Sequence, residues 1–230
     1  MKRKYFKRLF AAFLFAAVFP ICLCVFAIFL GNYRMAKESY SRKVKETASV
    51  CSANIESLVK EYEEVLESLV GNQFLSGYLT EGSRTGIEEV LSPLQTGRDG
   101  RILLHVVSLK KMEIYPEASD TLLYDPILYS RWGLQEKMRM FPHETAIFPN
   151  CTAAGEGQSI CLNLGRAIED KNGKIVGYGI IDLYRDTLLN AVRNIENDEI
   201  FFVITDQEGR VILDTTGKFA EGKTISSQEE

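Results

Sequence analysis

An uncharged apolar run near the N-terminus is the feature that most constrains this chain. No charged residue occurs from Leu9 to Leu30, and a helix of that length, at about 1.5 Å per residue, covers the roughly 30 Å hydrocarbon core of a membrane. The apolar region of a signal peptide is shorter, roughly 7 to 15 residues. Phe29-Leu30-Gly31 also lacks the small-x-small pattern of a cleavage site. We therefore expect an uncleaved membrane helix rather than a leader sequence.

The basic residues around this run favour a cytoplasmic N-terminus. Those before it stand without acidic neighbours: Lys2, Arg3, Lys4, Lys7 and Arg8. Those after it are accompanied by Glu38 and Glu46, and they are Arg34, Lys37, Arg42, Lys43 and Lys45. Long domains cross a membrane largely regardless of their charge. We predict a single-pass protein of the cell membrane, with residues 1–8 as a cytoplasmic tail, residues 9–30 in the lipid bilayer and the bulk of the chain extracytoplasmic.

Charge and histidine content argue against several classes of function. The chain has 27 Lys and Arg against 31 Asp and Glu, a net charge of -4 that provides no basic field for nucleic acid. Its 2 histidines cannot supply a multi-histidine metal centre, and it has no Cys-x-x-Cys or His-Glu-x-x-His pair. Phosphate-loop and nucleophile-elbow motifs are also absent from the sequence. We expect no enzyme active site, no metal, no cofactor and no nucleic-acid partner.

A stripe of apolar side chains follows the membrane segment. Its members recur at alternating spacings of four and three residues, which places them on one face of a helix. They are Val44, Ala48, Cys51, Ile55, Leu58, Tyr62, Val65 and Leu69. Few strong breakers precede Gly71, so residues 31–73 are predicted to contain one long helix. The stripe suits packing against the helix's own domain, and it also suits a homodimer seam; both uses are compatible.

Short helices and β-rich runs make up the rest of the chain. Helices are predicted at 74–79, at 87–94 with Pro93 as the stop, at 130–141 and at 185–194. Strands are predicted at 102–109, 113–115, 145–148, 159–167 and 175–184. Asn172-Gly173 supplies the positive φ values of a tight hairpin turn. Two further strands, at 200–205 and 210–214, begin a second sheet that two strands cannot complete.

This order of parts resembles the double Cache family, the extracytoplasmic sensor domains of bacterial histidine kinases and chemoreceptors. The likeness extends from residue 1 to about residue 195. The strand Gly177-Tyr178-Gly179-Ile180-Ile181-Asp182-Leu183-Tyr184 looks like the family's closing strand, and 202–212 looks like the opening hairpin of its second module. The resemblance implies an α+β fold: a transmembrane helix, a long amphipathic helix, a PAS-like antiparallel sheet with flanking helices, and the start of a second PAS-like module.

The resemblance also implies different roles for the two modules. Residues 74–195 would form the distal module, which binds a small-molecule ligand. Residues 196–230 would be the incomplete start of the membrane-proximal module, which passes the change back toward the membrane. Receptors of this family continue into a second membrane helix and a cytoplasmic output domain, so we expect the chain to be a fragment or a truncated reading frame.

The candidate ligand residues also come from the resemblance. Cache modules that bind amino acids often carry an Arg-x-Trp-Tyr type patch, and Tyr129-Ser130-Arg131-Trp132-Gly133 is similar, although Gly133 stands where an aromatic residue is expected. A guanidinium at Arg131 would grip a carboxylate, within aromatic walls of Tyr124, Tyr129 and Trp132. Asp182 would meet a ligand amine. The plainer interpretations are a core aromatic for Trp132 and a solvated surface charge for Arg131. For Asp182 they are a strand-end residue or a helix N-terminal acid.

Two of the five cysteines flank a Gly-rich tip. In residues 150–161 a hairpin near Gly155 would bring Cys151 and Cys161 together, and an oxidising exterior permits the bond. A disulfide and two unpaired thiols are both compatible with the sequence.

The sequence thus predicts the small-molecule sensing region of a membrane-bound signal-transduction receptor that lacks its output domain. The alternative is a membrane-tethered structural or interaction protein, which assembles through the heptad stripe and binds no solute. Ligand-induced thermal stabilisation separates the two.

Overall fold

The structure of the chain is a computed structural model. It describes residues 2–98, 100–116, 134–153, 159–193, 201–221 and 223–227. The chain divides into two compact units, residues 1–50 and residues 51–230. The first unit is helical throughout its described residues, and all the described strands belong to the second.

Helix α1 (Lys2–Val70) is a single helix of 69 residues. It contains an 18-residue window of mean hydropathy 2.9 in which no residue is buried inside the protein. By length and composition the helix can therefore cross a membrane. Pro20 lies inside α1 without ending it, which membrane helices tolerate. The helix ends at Val70, directly before Gly71, where the sequence predicts the stop.

The apolar stripe of α1 is used along part of its length. Cys51, Tyr62, Val65 and Leu69 are buried in the core of the second unit, which confirms packing against the helix's own domain for this part of the stripe. Val44 and Ala48 are exposed. These two positions are therefore the part of the stripe that this packing leaves open.

Two short helices follow α1. Helix α2 (Leu75–Glu81) closes at Gly82, whose φ of 76° allows its N–H to donate to the carbonyl of Tyr78. Helix α3 (Arg84–Gln95) begins after Ser83, whose hydroxyl accepts from the N–H of Gly86. The sequence predicts that Pro93 ends this helix, but α3 continues for two residues beyond it and ends at Gln95; a proline disfavours helical geometry in the residue before it and does not forbid it.

Five antiparallel strands form the main sheet, in the order β2-β1-β5-β4-β3. The strands are β1 (Ile102–Ser108), β2 (Glu113–Tyr115), β3 (Ala146–Ala153), β4 (Ser159–Glu169) and β5 (Ile175–Tyr184). The predicted hairpin joins β4 to β5, but only Gly173 has a positive φ, of 74°, and Asn172 does not. The geometry of the turn is fixed by the Asp170 carboxylate, which accepts from the backbone N–H groups of Lys174 and Asn172; these hydrogen bonds lower the pKa of Asp170.

The first face of the sheet packs against α1. Leu66 and Leu69 of the helix join Leu104, Leu164 and Ile181 of the strands in one core. Gly179 makes this contact possible, because a Cβ there would lie 2.7 Å from Cδ2 of Leu69. The absence of a side chain in the closing strand thus permits the close approach of α1 to the sheet.

Helix α4 (Leu134–Met140) covers part of the second face. Leu134 and Met138 pack there against Ala167, Tyr178 and Ile180. The expected helix at 130–141 is confirmed for this stretch, and residues 130–133 lie outside the described residues. Because side chains alternate between faces along a strand, the second face also carries His105, Asn163 and Asp182.

Helix α5 (Arg185–Arg193) follows β5 directly, and a second sheet comes after it. That sheet pairs β6 (Val203–Thr205) with β7 (Val211–Asp214). The turn between them is closed by the Asp206 carboxylate, which accepts from the N–H groups of Glu208 and Arg210. The predicted hairpin of a second sheet is therefore present.

Candidate functional site

A polar cluster crosses the three central strands of the main sheet. Asp182 of β5 pairs with Leu103 of β1 on one side and with Asn163 of β4 on the other. His105 comes two residues after Leu103, so its side chain lies on the same face as that of Leu103. One acidic, one amide and one imidazole side chain therefore meet on the second face of the sheet.

The three side chains are buried and close together. His105, Asn163 and Asp182 have exposed fractions of 2%, 0% and 1%. The amide nitrogen of Asn163 donates a hydrogen bond to Oδ1 of Asp182. Nδ1 of His105 lies 3.8 Å from Oδ2 of Asp182, which is beyond hydrogen-bond distance. Each carboxyl oxygen of Asp182 thus faces a different polar neighbour.

Burial determines the charge state of the imidazole. It lowers the pKa of His105 from 6.5 to about 3, because an imidazolium loses its hydration in the sheet interior. His105 is therefore neutral at physiological pH, and it offers hydrogen bonds to the cluster without adding a positive charge. Two residues after Asp182, the pKa of Tyr184 is raised, mainly by burial and also by the charge of Asp182.

One acceptor of the cluster is unsatisfied. The side-chain oxygen of Asn163 has no hydrogen-bond partner within the described part of the chain. A buried polar group left unpaired costs about 1–3 kcal/mol, so a ligand that donates to it would recover that free energy. Asn163 and Asp182 together present acceptor oxygens on one face, an arrangement that suits a group with several N–H donors, such as an ammonium.

Known proteins resemble this chain in structure rather than in sequence. Neither the sequence models of known families nor the sequences of curated proteins match it. The ligand-binding domain of the Campylobacter jejuni chemoreceptor Tlp3, in complex with L-valine, matches with a TM-score of 0.58 and 15% identity, covering 77% of this chain and 72% of that one. For the Pseudomonas aeruginosa chemoreceptor PctC with GABA the TM-score is 0.59, the identity 16% and the coverage 80% of each chain.

A third structure agrees with these two. The ligand-binding domain of the Pseudomonas fluorescens chemoreceptor CtaA, in complex with L-serine, has a TM-score of 0.60 and 14% identity, over 83% of this chain and 78% of that one. The chain has the fold of a Cache-type extracytoplasmic sensor domain. The expectation of an α+β, PAS-like fold behind a long apolar N-terminal helix is thereby confirmed.

Of the five predicted ligand residues, the structure describes one. Tyr124, Tyr129, Arg131 and Trp132 lie outside the described residues, and their assignment stays a prediction. Asp182 lies within β5 of the main sheet, at the centre of the polar cluster and two residues before the strand ends at Tyr184. The plainer interpretation as a strand-end residue is compatible with this place, and Asp186 is the acidic residue in the first turn of α5.

The cysteine prediction is described in part. In the main sheet, Thr152 pairs with Ile160 and Pro149 with Leu162, so the bulge in β3 that contains Cys151 lies beside Cys161. Sγ of Cys161 lies 3.5 Å from the carbonyl oxygen of Leu183. The side chain of Cys151 lies outside the described residues, and the disulfide stays a prediction.

Sequence reasoning did not select His105 or Asn163 as site residues. Both stand alone as polar residues within apolar stretches, Leu104-His105-Val106 and Leu162-Asn163-Leu164. Such isolated polar residues are a signal in themselves, because a strand buried on both faces does not favour them. What the sequence could not supply is the register that places them beside Asp182. Among the described residues, no three His, Cys, Asp or Glu side chains gather closely enough to hold a metal ion.

Proposed function

We propose that this chain is the sensing region of a membrane-anchored signal receptor, and that it binds a small solute carrying a cationic amine. The observation that carries the proposal is the buried carboxyl group of Asp182, which the Asn163 amide contacts on the second face of a Cache-type sheet. An ammonium donates several hydrogen bonds, so a ligand amine would bind the carboxylate of Asp182 and the side-chain oxygen of Asn163 together.

The connection between β2 and α4 supplies the remaining contacts in this proposal. It contains Tyr124, Tyr129, Arg131 and Trp132, and α4 packs on the face that carries Asp182. Arg131 would bind a ligand carboxylate bidentately while the aromatic residues exclude water. A solute with both an amine and a carboxylate would use both ends of such a site. L-valine and GABA, the ligands in the similar Tlp3 and PctC structures, each carry both groups.

A cytoplasmic N-terminus belongs to the same proposal. The first eight residues include Lys2, Lys4 and Lys7 with no acidic residue, and basic residues next to a membrane helix favour the cytoplasmic side. The sheets then lie outside the cell. An alkaline phosphatase fused to the C-terminus would be active in this orientation, and an active cytosolic reporter at the same place would contradict it.

In this proposal the signal starts in the distal module and passes to other parts of the chain. The ligand binds the distal module, residues 74–195, and shifts its conformational equilibrium. The shift passes through α1 and through residues 196–230, the beginning of the proximal module. We assign the chain no catalytic role.

Thermal unfolding of the full chain in detergent micelles tests the binding. L-amino acids, simple amines, dicarboxylates and sugars are screened separately, and an amine-bearing solute is expected to raise the melting temperature. At a ligand concentration of about 100 Kd the stabilisation is about 2.7 kcal/mol. Asp182→Asn should abolish it. Asp186→Asn is the matched control, because Asp186 is exposed and only four positions away.

The proposal is wrong if no amine-bearing solute stabilises the wild-type chain. It is also wrong if D182N responds to the solute as the wild type does, since the acid would then have no part in binding. Stabilisation by a sugar or dicarboxylate alone would assign the chain to a different ligand class.

A homodimer seam is the second candidate, and the exposure of Val44 and Ala48 on α1 favours it. If these positions continue the stripe into a partner helix, cysteines introduced at residue 44 should cross-link in the full chain. Val44→Lys should weaken self-association in sedimentation experiments. Glu46→Lys, at a neighbouring exposed position off the stripe, is the control that should not.

A further inference from the structure

His105 contributes to the polar cluster from a strand that carries no predicted ligand residue. It pairs with Ile180 of β5, two residues along the strands from the pair of Leu103 with Asp182. Its two neighbours in β1, Leu104 and Val106, are buried in the opposite core. The imidazole therefore faces the cluster, with 2% of the residue exposed.

The neighbours of His105 on this face of the sheet differ on its two sides. On the side of His105 away from Asp182, the residues of this face are apolar. Val107 and Tyr178 join the core under α4 there. On its near side His105 meets the carboxyl group of Asp182.

The carboxyl group of Asp182 lies between two neighbours. The Asn163 amide donates to Oδ1, and Nδ1 of His105 lies 3.8 Å from Oδ2. A neutral imidazole with its hydrogen on Nδ1 would need to approach by less than an ångström to donate to Oδ2. Catalytic hydrogen bonds often tighten in this way when the substrate binds, and we expect the same of this pair when a ligand binds.

We propose that His105 is a positioning residue, which fixes the Asp182 carboxylate from its Oδ2 side and thereby sets the affinity for amine-bearing ligands. This inference rests on the proposed function of the cluster. Because His105 is neutral, it orients the carboxylate and leaves its negative charge for the ligand. A carboxylate held from both sides loses less rotational freedom when the ligand binds, which raises affinity without any contact between His105 and the ligand.

Three replacements of His105 test this in the full chain in detergent micelles, with L-valine, L-serine and GABA as the probes. H105L removes every polar atom of the side chain. H105N places an amide nitrogen near the position of Nδ1, and H105Q places one near Nε2. Affinity is measured by calorimetry and melting temperature is measured without ligand. H143L makes the same replacement at the other histidine, whose side chain is 80% exposed.

The expected result separates affinity from stability. The Kd of H105L for the bound probe should rise about tenfold or more, the equivalent of one hydrogen bond to a charged group, while the melting temperature without ligand shows whether the variant still folds. H105N should restore the affinity to within about threefold of wild type, and H105Q should not. H143L should bind as the wild type does.

Several outcomes overturn the inference. If H105L binds the probe with wild-type affinity, His105 is a core residue only. If H105N and H105Q bind equally well, a donor at Nδ1 is not what matters. Should H105L not fold, the comparison of H105N with H105Q decides alone. Failure of the wild type to bind any probe overturns the proposed amino-acid ligand and this inference with it, whereas a binding wild type with unaffected variants overturns only the inference.

Discussion

Arg185 and Glu221 form an ion pair that joins helix α5 to the segment after the second sheet, with 3.0 Å between Nε and Oε1. The same carboxylate oxygen accepts from the backbone N–H of Asp214 in β7 at 3.3 Å. A second guanidinium nitrogen donates to the carbonyl of Asp214 at 3.4 Å. Arg185 comes three residues after Asp182, so these contacts connect the strand that carries the site with the second sheet.

This ion pair should contribute measurably to stability. The side chains of Arg185 and Glu221 are only 31% and 22% exposed, and partial burial reduces screening by solvent. A double-mutant cycle with R185Q and E221Q, followed by urea unfolding, should give a coupling free energy of about 1 kcal/mol. The control is Arg84 with Glu88, an i,i+4 pair that is 56% and 47% exposed, for which about 0.3–0.5 kcal/mol is expected. Equal couplings in the two cycles would contradict the prediction.

Gly177 should not tolerate even a methyl group. A Cβ there would lie 2.6 Å from the carbonyl oxygen of Val107, and this backbone atom cannot move without separating β1 from β5. We expect Gly177→Ala to destabilise the chain by about 1–3 kcal/mol in urea unfolding. Gly77 in α2 is the control, since nothing lies within 4 Å of a Cβ at that position. Gly77→Ala should stabilise the chain by about 0.5–1 kcal/mol, because glycine is a poor helix former. A neutral G177A would show that the strands can separate without penalty.

Much of the fold is predictable from local signals. The strand β5 has its predicted bounds, because an Asn-Gly turn precedes it and Asp-Leu-Tyr leads into a helix. The apolar stripe of α1 predicts which side of the helix is buried between Cys51 and Leu69. The end of α3 differs from its predicted place, since the helix continues for two residues beyond Pro93 and ends at Gln95.

The site is less predictable, because it depends on register between distant strands. Asp182 stands out in sequence through the family resemblance, whereas Asn163 and His105 become neighbours of it only through the pairing of β5 with β4 and β1. A shift of one residue in either pairing would turn the side chain to the other face. Hydrophobic patterning could not fix that register, since these strands are apolar on both faces.

The cysteine prediction has a direct chemical test. The bulge of β3 lies beside Cys161, and an oxidising exterior favours a bond between Cys151 and Cys161. The chain has 5 cysteines. After export and unfolding without reductant, alkylation should modify three in the wild type, because two are bonded, and four in C151S. Mass spectrometry counts the labels, and five labels on the wild type would exclude the bond.

Stability should decrease in acid because of His105. Its pKa is about 3 in the folded chain against an ordinary 6.5, so between these values the unfolded chain binds the additional proton. Stability is then present above pH 6.5 and falls toward pH 3, by about 1.4 kcal/mol per pH unit well inside the window. Asp170 and Asp214, whose pKa values in the folded chain lie below 3.8, add losses only below that value. Urea unfolding from pH 7 to about pH 4, followed by circular dichroism, measures this dependence, and the histidine variants separate the part due to His105 from that of other groups. H105N should flatten this dependence, and H143N, at the exposed histidine, should retain it; a wild-type slope that survives in H105N would place its origin elsewhere.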